Sequence, residues 1–411
     1  MWGTIRHAER SQLLFALAFG LAVILLGGLV VHLLQEAPGR NSYALLADAF
    51  LHGRLNVYHC FDGDCVTFQG KNYVIFPPAP VLVAMPFVAI FGPGFSSFAT
   101  IGFVSFIAAL WLWWRIFAHL EIERETIVWV LLALAFGSPL YHISIRADRV
   151  WFYAQSINFL LLTLALHEVI RGGRLVLAGI FLGLAFLSRQ MTILLAPFLF
   201  VLALRPDEKL ISFNVEYIKK ALKFGMPILI SIGAYLAYNE VRFGDPLETG
   251  YKFIANPNVL HISVINERLL HHGLFSKDYF VFNALYMFVQ GFHLEWGGDA
   301  MLTPIALDQW GTSLLAASPF VLLMVFMPLD RRTIVGVICA VVILTVTLFY
   351  HGNGYSQYNV QRFVLDWAIV PFFVLGLTID KTLRPAFAIL TVYAIGLNVV
   401  TTAALTLLHQ A

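Results

Sequence analysis

Two kinds of side chain in this sequence have the types and placing that group transfer at a membrane surface needs. The first is a pair of carboxylates, Asp48 and Asp64. Asn41–Leu55 has apolar residues Tyr43, Leu46, Ala47, Phe50 and Leu51 at the i, i+3, i+4, i+7, i+8 spacing of one helix face. At 100° per residue Asp48 projects off that face, where it could take a proton from an attacking hydroxyl; a solvated acid on a polar face fits the same periodicity. Asp64 lies in a Phe-Asp-Gly-Asp loop bracketed by Cys60 and Cys65, where a capping turn residue is the plainer reading. The second kind is cationic. Arg149, Arg189 and Arg362 each sit at the end of an apolar run, and Lys71 follows Gly70 in a hairpin-like stretch. Guanidinium forks match phosphate oxygens, although arginines at span ends also serve as plain interfacial anchors and a lysine there can snorkel to the headgroups.

The elements that must carry these residues are membrane helices. The 411 residues are 59% hydrophobic and 12% charged, with a mean hydropathy of +0.79. A soluble protein of this length needs about twice that share of charge. The net charge of +2 provides no field to gather nucleic acid. Apolar runs predict an all-α bundle of about eleven spans: Ser11–Leu34, Ser97–Ala118, Thr126–Ile145, Trp151–Val169, Leu175–Leu187, Thr192–Leu204, Phe224–Tyr238, Gly311–Met327, Thr333–Tyr350, Phe363–Leu377 and Pro385–Leu408. Val74–Phe91 is not counted. Its Phe-Pro-Pro-Ala-Pro opening, Pro86 and the Gly92-Pro93-Gly94 break confine it to a short juxtamembrane helix.

Basic residues set the expected orientation. With the N-terminus cytoplasmic, 15 of the 26 Lys and Arg fall inside, four lie in short outer loops and seven in two long outer segments. The C-terminus is then periplasmic, and a bacterial inner membrane is the expected location. The chain reads as one transmembrane domain, 1–411, with no soluble domain expected before or after it. A first outer segment spans 35–94 and a second 239–310. Cys60 and Cys65 could pair in an oxidising compartment, or belong to a zinc site. Cys339, mid-span, reads as packing. No cofactor is firmly implied and no metal ligand is assigned. A divalent metal stays possible, because His271, His272, His293 and Glu295 supply ligand types without tight spacing.

Several stretches resemble a known family in its order. They are Tyr43-x-x-Leu46-Ala47-Asp48-Ala49-Phe50-Leu51-x-Gly53, then Gly70-Lys71-x-Tyr73 and Pro77-Pro78-x-Pro80; Gly137-Ser138-Pro139 followed by Asp148-Arg149; Gly183 to Arg189; Tyr238-Asn239-x-x-Arg242 through Gly250-Tyr251; and Gln361-Arg362 to Asp366. Together they are similar to the GT-C superfamily of polytopic glycosyltransferases, the group of the dolichyl-phosphate-mannose protein mannosyltransferases and the lipid A aminoarabinose transferases. The resemblance implies transfer of a sugar from a polyprenyl-phosphate carrier to a glycan, lipid or protein acceptor on the periplasmic face, with inversion. It implies Asp48 as the base, with Asp64 second, and Lys71, Arg149, Arg189 and Arg362 on the donor phosphate. Asp148, Tyr238, Asn239, Arg242, Tyr251 and Gln361 are implied on the substrates.

Two departures stand out. Phe76 occupies the place of the family's basic residue before Pro-Pro, and the Cys60–Cys65 insert is unusual. The rival readings are a transporter or flippase for a lipid-linked substrate, and a non-catalytic subunit of the same fold. Ionisable groups crowded at one membrane face argue against alternating access.

Overall fold

The computed structural model describes residues 2–35, 41–59, 61, 65–254, 264–353 and 361–408. Among them the architecture is helical, with two small antiparallel hairpins and no larger sheet.

Among the described residues, six helices are long and apolar enough to cross a bilayer: α1 (Trp2–Leu34, apolar from Ser11), α4 (Phe98–His119), α7 (Val150–His167, continued as a π-turn to Gly172), α10 (Val215–Phe243), α14 (Arg331–Leu348) and α16 (Arg384–Leu407). A seventh crossing is a broken one. α5 (Arg124–Phe136) and α6 (Pro139–Ile145) are bent by 49° at Gly137-Ser138. Pro139 removes an N–H and crowds the preceding turn. Ser138 caps α6 by accepting from the Leu140 N–H, and Ser318 donates to the Gly137 carbonyl at 2.6 Å. The sequence runs this stretch as one span, and the proline bends it.

The other four expected spans contain helices too short to cross alone. They are α8 (Leu175–Phe186), α9 (Ala196–Leu202, after a 3₁₀ stretch from Gln190), α13 (Leu314–Ala317, followed by 3₁₀ from Pro319) and α15 (Ile369–Thr378, after 3₁₀ at Arg362–Asp366). A crossing helix needs about 20 residues. Pro197 and Pro319 sit in the first turns of α9 and of the 3₁₀ stretch, so each apolar run starts afresh there. α10, in contrast, exceeds its expected bounds at both ends. Asn214 caps it by accepting from Tyr217 N, and Gly244 ends it at φ +72°. Its charged ends had hidden that length.

The helices share one core, with Trp113, Phe117, Trp129, Tyr141, Phe159, Phe198 and Phe320 fully buried. The first outer segment is built around a second core that it shares with Phe98 of α4, Tyr153 and Ile157 of α7 and Phe243 of α10. α2 (Ser42–Leu51), the hairpin β1 (Cys65–Phe68)/β2 (Lys71–Val74) and α3 (Ala79–Phe91) enclose Tyr43, Leu46, Val66, Tyr73, Val81 and Val88. The Gln69-Gly70 turn has φ +49° and +73°, the two positive values of a tight hairpin, as Gly70 suggested. The expected amphipathic helix exists, but its face differs. Ala44, Leu45 and Ala49 are buried with Tyr43, Leu46 and Ala47, whereas Leu51 is 41% exposed. α2 is packed nearly all round, by α3 and the hairpin and by Tyr153 of α7 and Tyr238 of α10, rather than laid on lipid by one stripe. At thirteen residues, α3 is too short to cross, as its prolines require.

The candidate active site

α8 ends in the turn Leu187-Ser188-Arg189, where Ser188 donates back to the Leu184 carbonyl. That turn aims Arg189 at the 3₁₀ stretch Arg362–Asp366. Its guanidinium makes a two-pronged contact with Asp366, Nε to Oδ1 at 2.8 Å and Nη2 to Oδ2 at 2.5 Å. Asp366 is 1% exposed. Burial works against the Arg189 charge, but the Asp366 carboxylate more than reverses this and holds its pKa above the ordinary guanidinium value.

This pair forms one wall of a cavity of about 210 Å³, lined also by Gln190, Tyr251, Tyr350 and Phe363. The Tyr251 and Tyr350 hydroxyls share a hydrogen bond. Burial pushes the Tyr251 phenol well above its usual pKa, so it stays a neutral donor. Gln190 donates to the Tyr235 hydroxyl at 2.7 Å, which fixes the turn to α10. Arg362, 6% exposed, lies over the rings of Phe152 and Phe363 and donates to Gln155 Oε1 at 3.0 Å. Arg189 and Arg362 both lie within electrostatic reach of the Tyr350 hydroxyl. Of the three predicted arginines, Arg189 lines the cavity, and Arg362, 173 positions on in sequence, stands behind Phe363, whose ring lines it. A phosphate entering there meets a fixed cation, a second cation behind an aromatic ring, and two phenol donors.

The third arginine is elsewhere. Arg149 stands 3.5 Å from Asp148, which also faces Arg146 at 3.9 Å, and Asn41 donates to the Asp148 carbonyl at 3.0 Å. This cluster holds the start of α2 and does not line the cavity. Lys71 opens β2, exposed, and does not line it either. Asp48 is 23% exposed and already paired, with Arg54 Nη2 at 3.3 Å and His52 Nδ1 at 3.4 Å. Asp48, too, is absent from the cavity wall. Its helix is nevertheless tied to the same end of α10, because Phe50 packs edge-on against Tyr238, one turn from Tyr235.

Three residues expected on substrates are engaged internally. Arg242, 3% exposed, donates to the Val74 carbonyl at 3.0 Å and to Asn239 Oδ1 at 2.7 Å, with Tyr238 stacked at 3.8 Å. Asn239 in turn donates to the Pro246 carbonyl at 3.2 Å. This is a rivet between α10 and the first outer segment. Gln361, fully buried, donates to the Tyr286 carbonyl at 3.1 Å. Of the substrate set, Tyr251 lines the cavity.

Asp64 and Cys60 lie outside the described residues. Cys65 is disulfide-bonded, and Cys339 is free and buried. Among the described residues no group of three His, Cys, Asp or Glu side chains could hold a metal; His272 is taken up by Asp278 at 2.8 Å. The cavity members that sequence reasoning missed are Asp366, Tyr350 and Gln190. Asp366 carried a signal, four residues after Arg362 in a stretch noted for resemblance; Tyr350 and Gln190 carried none.

Fold and site together define a polytopic helical membrane protein with a cation-walled, tyrosine-lined cavity where one end of α8 and α10 meets the end of α14. No family model matches the sequence, and no curated protein does. Among solved structures, the chain is similar to the crystal structure of ArnT from Cupriavidus metallidurans bound to undecaprenyl phosphate. The likeness has 13% identity and a TM-score of 0.48, covering 95% of this chain and 73% of that one.

Proposed function

We propose that this protein is a membrane glycosyltransferase that moves a sugar from a polyprenyl-phosphate carrier to a hydroxyl acceptor on the outer face, with inversion. The observation that supports it most is one cavity lined by Arg189, held in place by Asp366, together with the phenols of Tyr251 and Tyr350. A phosphate leaving an anomeric carbon gains charge as the bond breaks, and donors held in place before the reaction stabilise that charge without reorganising. Asp366 acts as the positioning residue for Arg189. Attack by the acceptor oxygen needs a carboxylate to take its proton, and Asp48 is the assignment. One displacement at carbon, with no covalent intermediate on the enzyme, inverts the configuration.

One observation favours the non-catalytic reading. Asp48 is ion-paired and does not line the cavity. A transfer assay on the purified chain with polyprenyl-phosphate sugars separates the two. Arg189→Gln should lose donor binding, and Asp48→Asn should keep binding and lose turnover by about 10²–10⁴-fold, the usual worth of a positioned base. Unchanged turnover in Asp48→Asn removes it as the base. Absence of transfer by wild type with every donor, while a donor is still bound, favours the non-catalytic subunit.

A further inference from the structure

A second cavity, of about 550 Å³, lies between α8 and α10, away from Arg189. Its origin is the close approach of the two helices. A Cβ on Gly179 would lie 2.2 Å from the Phe224 carbonyl oxygen, and one on Gly183 would lie 2.3 Å from Ser231 Oγ, so the backbones touch along this line. Beside it, the larger side chains splay apart. Val176, Ile180 and Leu184 on α8 face Leu222, Met226 and Ile230 on α10, each set at i, i+4, i+8. Ile230 is 65% exposed and Leu222 54%, so the groove opens sideways to the surroundings and not into the core.

Eight residues along each helix give the apolar walls a length of roughly 12 Å. That is less than half of the roughly 30 Å hydrocarbon core, so the groove has the depth of one leaflet. Lys223 stands at one end of it, exposed, and among the described residues has no carboxylate within ion-pair distance. Lys220, one turn away, does have one: it pairs with Glu208. α8 and α10 run parallel here, with Gly179 at Phe224 and Phe186 at Tyr235. Lys223 is therefore twelve residues, or roughly 18 Å, from the Tyr235 level that holds the Arg189 turn.

We propose that this groove binds an anionic membrane phospholipid of the opposite leaflet, with one acyl chain between α8 and α10 and its phosphate on Lys223. The charge decides the occupant. A neutral chain end would gain nothing from the lysine, whereas an anionic headgroup gains a direct ion pair at the depth where its chain enters. A carrier lipid held by its phosphate at Arg189 would bring only its tail to this end. The proposal stands apart from glycosyl transfer.

The test uses the full chain in nanodiscs of phosphatidylcholine with a minor share of phosphatidylglycerol, with retained lipids counted by native mass spectrometry. Lys223→Gln should lower retained phosphatidylglycerol about fivefold, the usual worth of one basic residue near an anionic surface. Ile180→Trp, which fills the exposed groove, should lower it as much. Lys219→Gln, one turn from Lys223, serves as the control and should leave it unchanged. A photoactivatable acyl chain should label peptides of α8 and α10. The proposal is overturned if Lys219→Gln matches Lys223→Gln, which indicates a diffuse basic field. It is equally overturned if the retained lipid is phosphatidylcholine regardless of residue 223, or if added polyprenyl phosphate displaces the label from α8 and α10.

Discussion

At the scale of single residues, the decisive pair is Arg189 and Asp366. A buried cation held by one carboxylate is costly to orphan, typically about 3–5 kcal/mol. Asp366→Asn should therefore lower the thermal midpoint of the detergent-solubilised protein, and Arg189→Met with Asp366→Leu should recover much of that loss without recovering donor binding. Recovery of binding in the double variant would remove Arg189 from the site. His351 gives a second expectation. It is 4% exposed, packed by the Tyr251 and Tyr350 rings, and burial lowers its pKa to about 4. Because the folded value lies below the unfolded one, the unfolded state binds the proton first. Its contribution is complete above about pH 6.5 and is lost as pH falls toward about 4, roughly 3 kcal/mol in all. Unfolding curves across that window should flatten in His351→Gln. A slope unchanged by the substitution would show that other groups carry it.

At the scale of elements, two contacts fix how the parts sit. Gly179→Val puts atoms where the Phe224 carbonyl already is, so α8 and α10 must separate. A loss of about 1–3 kcal/mol in thermal stability is expected, the usual cost of overpacking. Arg242→Gln removes the bond to the Val74 carbonyl and should expose the first outer segment to protease, leaving the bundle intact. Resistance equal to wild type would mean that the aromatic contacts of Phe243 suffice. The elements also show what the sequence could reveal. Composition and apolar runs located the long helices and the shorter α8, α9, α13 and α15, but not the helix Phe280–Phe288, whose Met287 is buried in the same core; the prolines of 74–91 disclosed a short helix. They did not disclose where helices break into 3₁₀ turns, because Phe-Val-Leu and Ile-Leu-Leu are equally apolar in either form. The face of α2 was misjudged because periodicity assumes lipid on one side, whereas its own segment together with α7 and α10 packs it on nearly all sides. Arg189 was singled out from type and position and Tyr251 through the resemblance, and both line the cavity. Asp366 was legible only as a neighbour of Arg362, since pairing across 177 positions leaves no local trace. Arg242 was read as a ligand because its carbonyl partner is invisible in one dimension.

At the scale of the whole molecule, the distribution of basic residues sets the expected orientation. Single cysteines in a background lacking Cys339 should be labelled from opposite sides, Tyr58→Cys from outside and Ser212→Cys from the cytoplasm. Labelling of both from one side would overturn the topology and, with it, the outer-face reaction. The outer segment formed by α2, the hairpin and α3 shares its apolar interior with the bundle through Phe98, Tyr153, Ile157 and Phe243, and is pinned to it by Arg242 to Val74, Asn41 to Asp148, Tyr153 to the Pro80 carbonyl, and the Ala79 N–H to the Leu187 carbonyl. Such a cap is seated on the bundle by a shared apolar face as well as by polar pins. Residues on its outward side can drift, while those on the shared face must stay matched to α4, α7 and α10, so a change of acceptor would be written into the rim of the segment and not into its seat.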